Sequence, residues 1–170
     1  MDLINRNKVF VTRLTRDDKL KARRDELIKG QHPTTLVITC SDSRVVPEFI
    51  FNATLGELFV IRTAGNVVNE GELATIEYAV EHLHIKDIVV LGHTHCGAIH
   101  AAINHETGKY LDPIISRISK NIGVILNEEE ASEINASREV DYIKTKFIDK
   151  KLNIKAYVYN IETSLVKEII

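Results

Sequence analysis

The sequence predicts an α/β fold, in which a mostly parallel central sheet of about five strands is flanked by helices within a single domain. Short apolar runs typical of buried strands alternate with segments whose apolar residues recur at helical spacing. The chain has 170 residues, of which 44% are hydrophobic and 27% charged, as expected of a globular domain with its own core. We therefore expect one domain over residues 1–170, with residues 1–30 as an N-terminal helical arm.

The first half of the chain alternates helical and strand patterns. In chain order we predict a helix at Asp17–Ile28, a strand at Thr35–Thr39, a helix at Pro47–Ala53, a strand at Leu58–Arg62 and a helix running from Glu72 to about Leu83. Gly30 and the pair His32-Pro33 end the first helix and favour an extended chain after it. Pro47 suits the first turn of the second helix. The segment Ala64-Gly65-Asn66 predicts a turn after the second strand.

The second half continues this alternation and ends in strand patterns. We predict a strand at Asp87–Leu91, a helix at Gly97–Ile103, a helix at about Ser137–Lys150 and strands at Ala156–Ile161 and Leu165–Ile169. The last two strands surround a turn at Thr163 and Ser164, which favours a hairpin. Residues 104–134 carry a weaker pattern, from which we expect one or two short helices.

Charge and hydropathy narrow the classes of function. The net charge of −2 does not suggest binding to nucleic acid or to an anionic membrane surface. No stretch approaches the ~20 apolar residues that cross a bilayer, and the N-terminus lacks the apolar core of a secretory signal. We expect a cytoplasmic protein with neither nucleic-acid nor membrane partners.

Two polar segments follow two of the predicted buried strands. They are Cys40-Ser41-Asp42-Ser43-Arg44 and His93-Thr94-His95-Cys96-Gly97. The carboxyl ends of neighbouring parallel strands meet at one edge of a sheet, where open α/β folds place their sites. The sequence therefore predicts a functional site built from these two segments.

Cys40, His93 and Cys96 together form the ligand set of an open zinc centre, with two thiolates, one imidazole and a free fourth position. If Cys96 begins a helix, His93 lies three positions before it on the same face, whereas His95 points elsewhere. Two thiolates neutralise the charge of Zn²⁺, so we expect activity to rise above neutral pH. The alternative for each cysteine alone is a small buried core residue.

Asp42 and Arg44 stand directly after the first cysteine. The Asp42 carboxylate can become a fourth zinc ligand, or it can pair with Arg44 in bidentate fashion and leave that position to water. The alternative is a structural turn, because Ser41, Asp42 and Ser43 all favour turns and helix caps.

Several motifs in register resemble the β-class carbonic anhydrases. They are Cys40-Ser41-Asp42-Ser43-Arg44-Val45, Phe59-Val60-Ile61-Arg62-Thr63-Ala64-Gly65-Asn66, Ile76-Glu77-Tyr78-Ala79-Val80 and Gly92-His93-Thr94-His95-Cys96-Gly97-Ala98. The resemblance covers residues 31 to about 102 and returns at Tyr157–Thr163. It implies zinc ligands at Cys40, His93 and Cys96 and a catalytic dyad of Asp42 and Arg44.

The plant-like branch of that family implies further substrate-binding residues, which in this sequence are Gln31, Phe59 and Tyr78. The resemblance also implies that Gly97 offers a backbone N–H near the bound substrate, as a helix N-terminus favours anions. For Phe59 and Tyr78 the alternative is ordinary aromatic packing. The implied reaction is reversible hydration of CO₂ to bicarbonate and a proton by zinc-bound hydroxide. Histidine titrates near neutral pH, so the candidates for receiving the proton are His32, His95 and His100.

The family resemblance also implies a homodimer, or a tetramer of dimers, in which the N-terminal helix crosses to the partner and the cleft lies at the interface. Two other functions remain open from the sequence. One is a hydrolase of carbonyl sulfide or carbon disulfide on the same scaffold. The other is a noncatalytic scaffold stabilised by zinc, for which Asp42 or a spare histidine would have to complete the ligand set.

Overall fold

A five-stranded sheet organises residues 2–170, the part of the chain that the computed structural model describes. Its strands are β1 (Thr35–Cys40), β2 (Leu58–Thr63), β3 (Asp87–His93), β4 (Asn153–Tyr159) and β5 (Val166–Glu168). They lie in the order β2-β1-β3-β4-β5. The first four run parallel, and β5 pairs antiparallel with β4. The predicted mostly parallel sheet, including its terminal hairpin, is confirmed.

Helices cover both faces of the sheet. They are α1 (Leu3–Arg16), α2 (Asp18–Leu27), α3 (Pro47–Ile50), α4 (Glu70–His82), α5 (Gly97–Ile103), α6 (Asp112–Ile122) and α7 (Glu128–Lys146), with a short 3₁₀ turn at Ala64–Asn66. Asp17 separates α1 from α2, because it adopts an extended conformation and its side chain caps α2 by accepting a hydrogen bond from the Leu20 N–H. No helix within residues 2–170 has the length and apolar character that a bilayer crossing requires.

The largest correction to the sequence prediction concerns α7. The prediction of a helix from Ser137 is wrong in its start, since α7 begins at Glu128, and the helix ends at Lys146 rather than Lys150. Asn127 caps it by accepting a hydrogen bond from the Glu130 N–H. The first turns of α7 bury mainly small and polar residues, namely Ala131, Ser132, Asn135, Ala136 and Glu139. They therefore lack the apolar periodicity that marks a helix in a sequence.

The order of the strands explains where a site can form. From β1 the chain crosses to β2 on one side, and β3 then returns to the other side of β1. Because the strands that follow β1 lie first on one side of it and then on the other, a crevice forms at the carboxyl ends of β1 and β3. Cys40 is the last residue of β1 and His93 the last of β3. The Thr39 hydroxyl ties the two strand ends together by donating to the Leu91 carbonyl at 2.9 Å.

Candidate metal centre

Three buried donors meet in the crevice between β1 and β3. One ligand atom each from Cys40, His93 and Cys96 lies within 4.8 Å of the others. Cys96 is the cap residue before α5, so the turn from β3 into that helix brings it back toward the strand ends. His95 occupies this turn at a φ of 56°, and its exposed side chain pairs with Glu162 rather than with the two cysteines.

The imidazole of His93 is oriented so that one of its ring nitrogens is available to bind a metal. Its Nδ1–H donates to the Thr94 carbonyl at 2.9 Å, which fixes the tautomer and leaves a lone pair on Nε2. Nε2 is fully buried and has no hydrogen-bond partner among residues 2–170. A buried acceptor without a partner is costly unless something binds it. Together with two thiols it fits a soft divalent metal held by sulfur and nitrogen.

The two thiols are coupled to each other. Hydrogen bonds from the Cys96 thiol and from the backbone N–H groups of Asp42 and Gly65 lower the pKa of Cys40. The same thiol pair and burial raise the pKa of Cys96. Cys40 is thus the first to become a thiolate, and a metal ion that binds here must displace the proton that remains on Cys96.

Asp42 is held beside this cluster by Arg44. Arg44 Nε donates to Asp42 Oδ1 at 2.9 Å and Nη2 to Oδ2 at 2.7 Å, so the pair is bidentate. The Arg44 hydrogen bonds hold the pKa of Asp42 well below its usual range. Asp42 Oδ2 lies 4.0 Å from His93 Nε2. The Asp42 carboxylate therefore lies at the edge of the cluster, and the Arg44 guanidinium compensates its negative charge.

The remaining predicted site residues divide into two groups. Gly97 begins α5 next to Cys96 and is exposed. Phe59 on β2 pairs in register with Leu36, which lies four residues before Cys40 and thus about 13 Å along the strand. Tyr78 on α4 is 47% exposed, with its ring centroid 6.3 Å from that of Phe59.

Gln31 is exposed in the segment between α2 and β1. This chain therefore gathers the two cysteines, His93, Asp42, Arg44 and Gly97 at one edge of the sheet, and it leaves Gln31, Phe59 and Tyr78 elsewhere. Among the three histidines proposed as proton acceptors, His32 is exposed and His100 binds Glu128, with 2.7 Å between Nδ1 and Oε1.

Sequence reasoning missed two supports of the metal centre. Arg62 donates through Nη2 to the Asp42 carbonyl at 2.6 Å and through Nε to the Cys40 carbonyl at 3.3 Å, which fixes the loop after β1. The Gly65 N–H donates to Cys40 Sγ at 3.4 Å. The sequence predicted a turn at Ala64–Asn66 after the second strand, but nothing in it revealed which atom the Gly65 N–H would meet.

The sequence model of the family described as "Carbonic anhydrase" matches residues 35–168. This chain belongs to the carbonic anhydrase family. A carbonic anhydrase of Synechococcus elongatus is 32% identical over 178 residues, which cover 85% of this chain. The chain spans 63% of the length of that relative.

Solved structures place this family member in the β class, as predicted from its motifs. A Coccomyxa β-carbonic anhydrase in complex with acetazolamide is 29% identical, with a TM-score of 0.83, and the match covers 98% of this chain and 84% of that one. A structure of tetrameric β-carbonic anhydrases from Sordaria macrospora is 26% identical, with a TM-score of 0.80, and covers 98% of this chain and 93% of that one. The Cys40, His93 and Cys96 cluster of this family member therefore lies in a fold shared with β-carbonic anhydrases.

Proposed function

We propose that this protein binds Zn²⁺ through Cys40, His93 and Cys96 and catalyses the reversible hydration of CO₂ to bicarbonate and a proton. The observation that carries the proposal is the buried, unpartnered Nε2 of His93 beside two thiols. Three protein ligands with sulfur and nitrogen donors are typical of catalytic zinc, whereas structural zinc takes four. When bound, zinc supplies a Lewis acid that lowers the pKa of a water molecule in its fourth position.

Asp42 has the role of orienting the water that attacks CO₂. Because Arg44 keeps the carboxylate ionised, Asp42 can only accept hydrogen bonds. Its position at the edge of the ligand cluster suits it to accept one from the reacting water, which directs a lone pair of that water toward the carbon. Arg44 also donates to the His95 carbonyl at 3.1 Å and so ties the dyad to the loop that carries Cys96.

A second copy of the chain would complete the substrate pocket. Phe59 pairs with Leu36, about 13 Å along the strand from Cys40, Tyr78 packs beside Phe59, and Gln31 precedes the opposite end of β1. We therefore expect these three residues to line the pocket of a partner subunit's cluster. Helix α1 supports such an assembly, because it buries only Leu14 and exposes apolar residues along one side. We propose a homodimer, alone or paired into the tetramer described for the Sordaria proteins.

The test is stopped-flow CO₂ hydration at about pH 8.5, above the expected pKa of the activated water, with the zinc-loaded and the chelator-treated protein. We expect rapid hydration that requires zinc and that acetazolamide inhibits. Full activity after the metal has been removed would refute the proposal. One bound zinc per chain without CO₂ hydration would refute it as well, and would favour a carbonyl sulfide or carbon disulfide hydrolase or a noncatalytic zinc scaffold.

A matched pair of histidine variants tests the ligand assignment. His93→Asn removes the buried Nε2 donor, so we expect it to lose most of the bound zinc when metal content is measured after dialysis. His95→Asn changes an exposed side chain that contacts Glu162, and asparagine tolerates the positive φ of this position. This variant should keep one zinc per chain. Equal metal contents in the two variants would contradict the assignment of His93.

A further inference from the structure

A buried polar network joins α6 and α7 behind the metal centre. Its central residue is Glu139, which is 0% exposed. The Arg117 guanidinium binds it in bidentate fashion, with Nε 2.8 Å from Oε1 and Nη2 3.0 Å from Oε2. Asn121 Nδ2 donates to Oε1 at 2.8 Å, and the Val68 N–H donates to Oε2 at 3.3 Å. Because these bonds satisfy both carboxylate oxygens, the buried charge is well compensated.

Asn135 connects this network to the turn after β2. It is fully buried on α7, and its Oδ1 accepts a hydrogen bond from Asn121 Nδ2 at 2.9 Å. Its own Nδ2 donates to the Gly65 carbonyl at 2.9 Å. Asn121 thus fixes which way the Asn135 amide faces, and Asn135 in turn holds the Gly65 peptide.

The backbone conformation of Gly65 and its close neighbours both restrict this residue. Its φ of 65° is in the left-handed region, and a Cβ placed on it would lie 2.7 Å from Ile118 Cδ1 and 3.1 Å from Ala98 Cβ. The Gly65 N–H points at Cys40 Sγ, with 3.4 Å between nitrogen and sulfur. The carbonyl held by Asn135 and the N–H aimed at Cys40 lie on either side of the same α-carbon. Because the close packing around Gly65 limits rotation between the two peptide groups, the asparagine helps to hold the N–H in place.

We propose that Asn135 is a positioning residue of the metal centre, which acts through Gly65 to aim a backbone N–H at the Cys40 sulfur. This inference rests on the proposed metal site. A hydrogen bond to a ligating sulfur tunes the charge that the sulfur donates to the metal. Loss of such an outer partner costs roughly 10–100-fold in metal affinity or activity in metalloproteins. The network therefore sets the strength with which the site holds its metal.

The experiment compares Asn135→Ala with Ser132→Ala. Both substitutions remove a buried polar side chain from α7, but the Ser132 hydroxyl donates within the helix, to the Glu128 carbonyl. Zinc affinity is measured by competition with a chelator, and Co²⁺ is then used as a probe, because its thiolate-to-cobalt absorption band reports the electron density on sulfur. The melting temperature of each metal-free protein separates loss of stability from loss of binding.

We expect Asn135→Ala to weaken zinc binding by roughly 10–100-fold and to shift the cobalt band, while Ser132→Ala matches the wild type in both. Unchanged affinity and an unchanged band in Asn135→Ala would overturn the proposal, even if the metal-free variant melts at a lower temperature. If Asn135→Ala does not fold, Asn121→Ala, which frees the Asn135 amide to turn, is judged by the same criteria. A wild-type protein that binds neither metal would instead refute the proposed function.

Discussion

Asp42 and Arg44 meet through two parallel hydrogen bonds beside the Cys40, His93 and Cys96 donors. The guanidinium also binds the His95 carbonyl, so one side chain holds both the carboxylate and the loop from β3 to α5. Lysine carries the same charge but lacks the planar fork that makes both bonds. The geometry of this side chain therefore matters at position 44, in addition to its charge.

Arg44→Lys should separate metal binding from catalysis. We expect the variant to keep one metal ion per chain, because the three donors are untouched, and to lose CO₂ hydration by roughly 10–100-fold, a range typical of lost outer-sphere partners. The measurements are metal content and stopped-flow hydration. Arg138→Lys is the matched control, because Arg138 pairs only loosely with Asp141 on the exposed side of α7, at 3.4 Å. Equal hydration rates in the two variants would mean that the fork at position 44 has no part in the reaction.

At the scale of secondary structure, the turn between β2 and α4 is packed closely against α5 and α6, because a Cβ on Gly65 would lie 2.7 Å from Ile118 Cδ1 and 3.1 Å from Ala98 Cβ. Gly65→Ala forces a side chain into the left-handed region and against Ile118 and Ala98, so we expect a loss of about 1–3 kcal/mol in unfolding free energy. Gly71→Ala is the matched control, because nothing lies within 4 Å of its Cβ position in α4. That variant should be neutral or more stable by up to roughly 1 kcal/mol. Urea denaturation measures both, and an equally stable Gly65→Ala protein would contradict the close packing of this turn.

Helices α5 and α7 are linked by an ion pair between His100 and Glu128, with 2.7 Å between Nδ1 and Oε1. The hydrogen bond to Glu128 raises the pKa of His100 above its ordinary value, and Glu106 adds to the shift. Because the folded pKa is the higher one, the pair contributes stability that is complete below the unfolded histidine pKa of about 6.5. That contribution disappears as the pH rises through the folded pKa.

Glu128→Gln should therefore lower the melting temperature more at about pH 5.5 than at about pH 8.5, values chosen to bracket the titration of histidine. Glu129→Gln removes the neighbouring charge from the same first turn of α7 and controls for the interaction of that turn with the helix dipole. Proton NMR titration of His100 gives the direct measurement. A loss of stability in Glu128→Gln that is the same at both pH values would show that the ion pair does not form in solution.

For the whole molecule, the feature that points to an assembly is α1, which leaves several apolar side chains exposed. Leu3, Ile4, Phe10 and Val11 are all exposed, and with Leu14 they form one side of the helix. A row of apolar residues on one side of a helix predicts burial against another surface. In this chain α1 contacts mainly α2, and Leu3, Ile4, Phe10 and Val11 stay exposed while Leu14 is buried.

Phe10→Asp should dissociate an assembly that buries this side of α1. Thr12→Asp introduces the same charge on the opposite side of the helix and should leave the assembly intact. Sedimentation velocity measures the mass of each protein. If both variants sediment with the wild type, α1 is not part of the interface between subunits.

The sequence predicted the sheet well because its buried strands are continuous apolar runs. The start of β1, β2 and β3 and both ends of α5 agree with the predictions. The sequence did not reveal where α7 begins, because its buried face carries Ser132, Asn135 and Glu139, and the partners of Asn135 and Glu139 are distant in sequence. The same reason hid the contact between Asn135 and Gly65. A hydrogen bond across the fold leaves no local pattern, whereas a ligand set placed directly after two strands does.

The distribution of the three metal donors along the chain has a consequence for biosynthesis. Cys40 leaves the ribosome well before His93 and Cys96, with α3, β2 and α4 between them. A nascent chain that has reached only β2 carries one thiol, which is too few donors to retain a metal ion. Loading must wait until β3 has paired with β1, because only that pairing brings the donors together. A metal ion held by all three donors therefore reports that the centre of the sheet has formed.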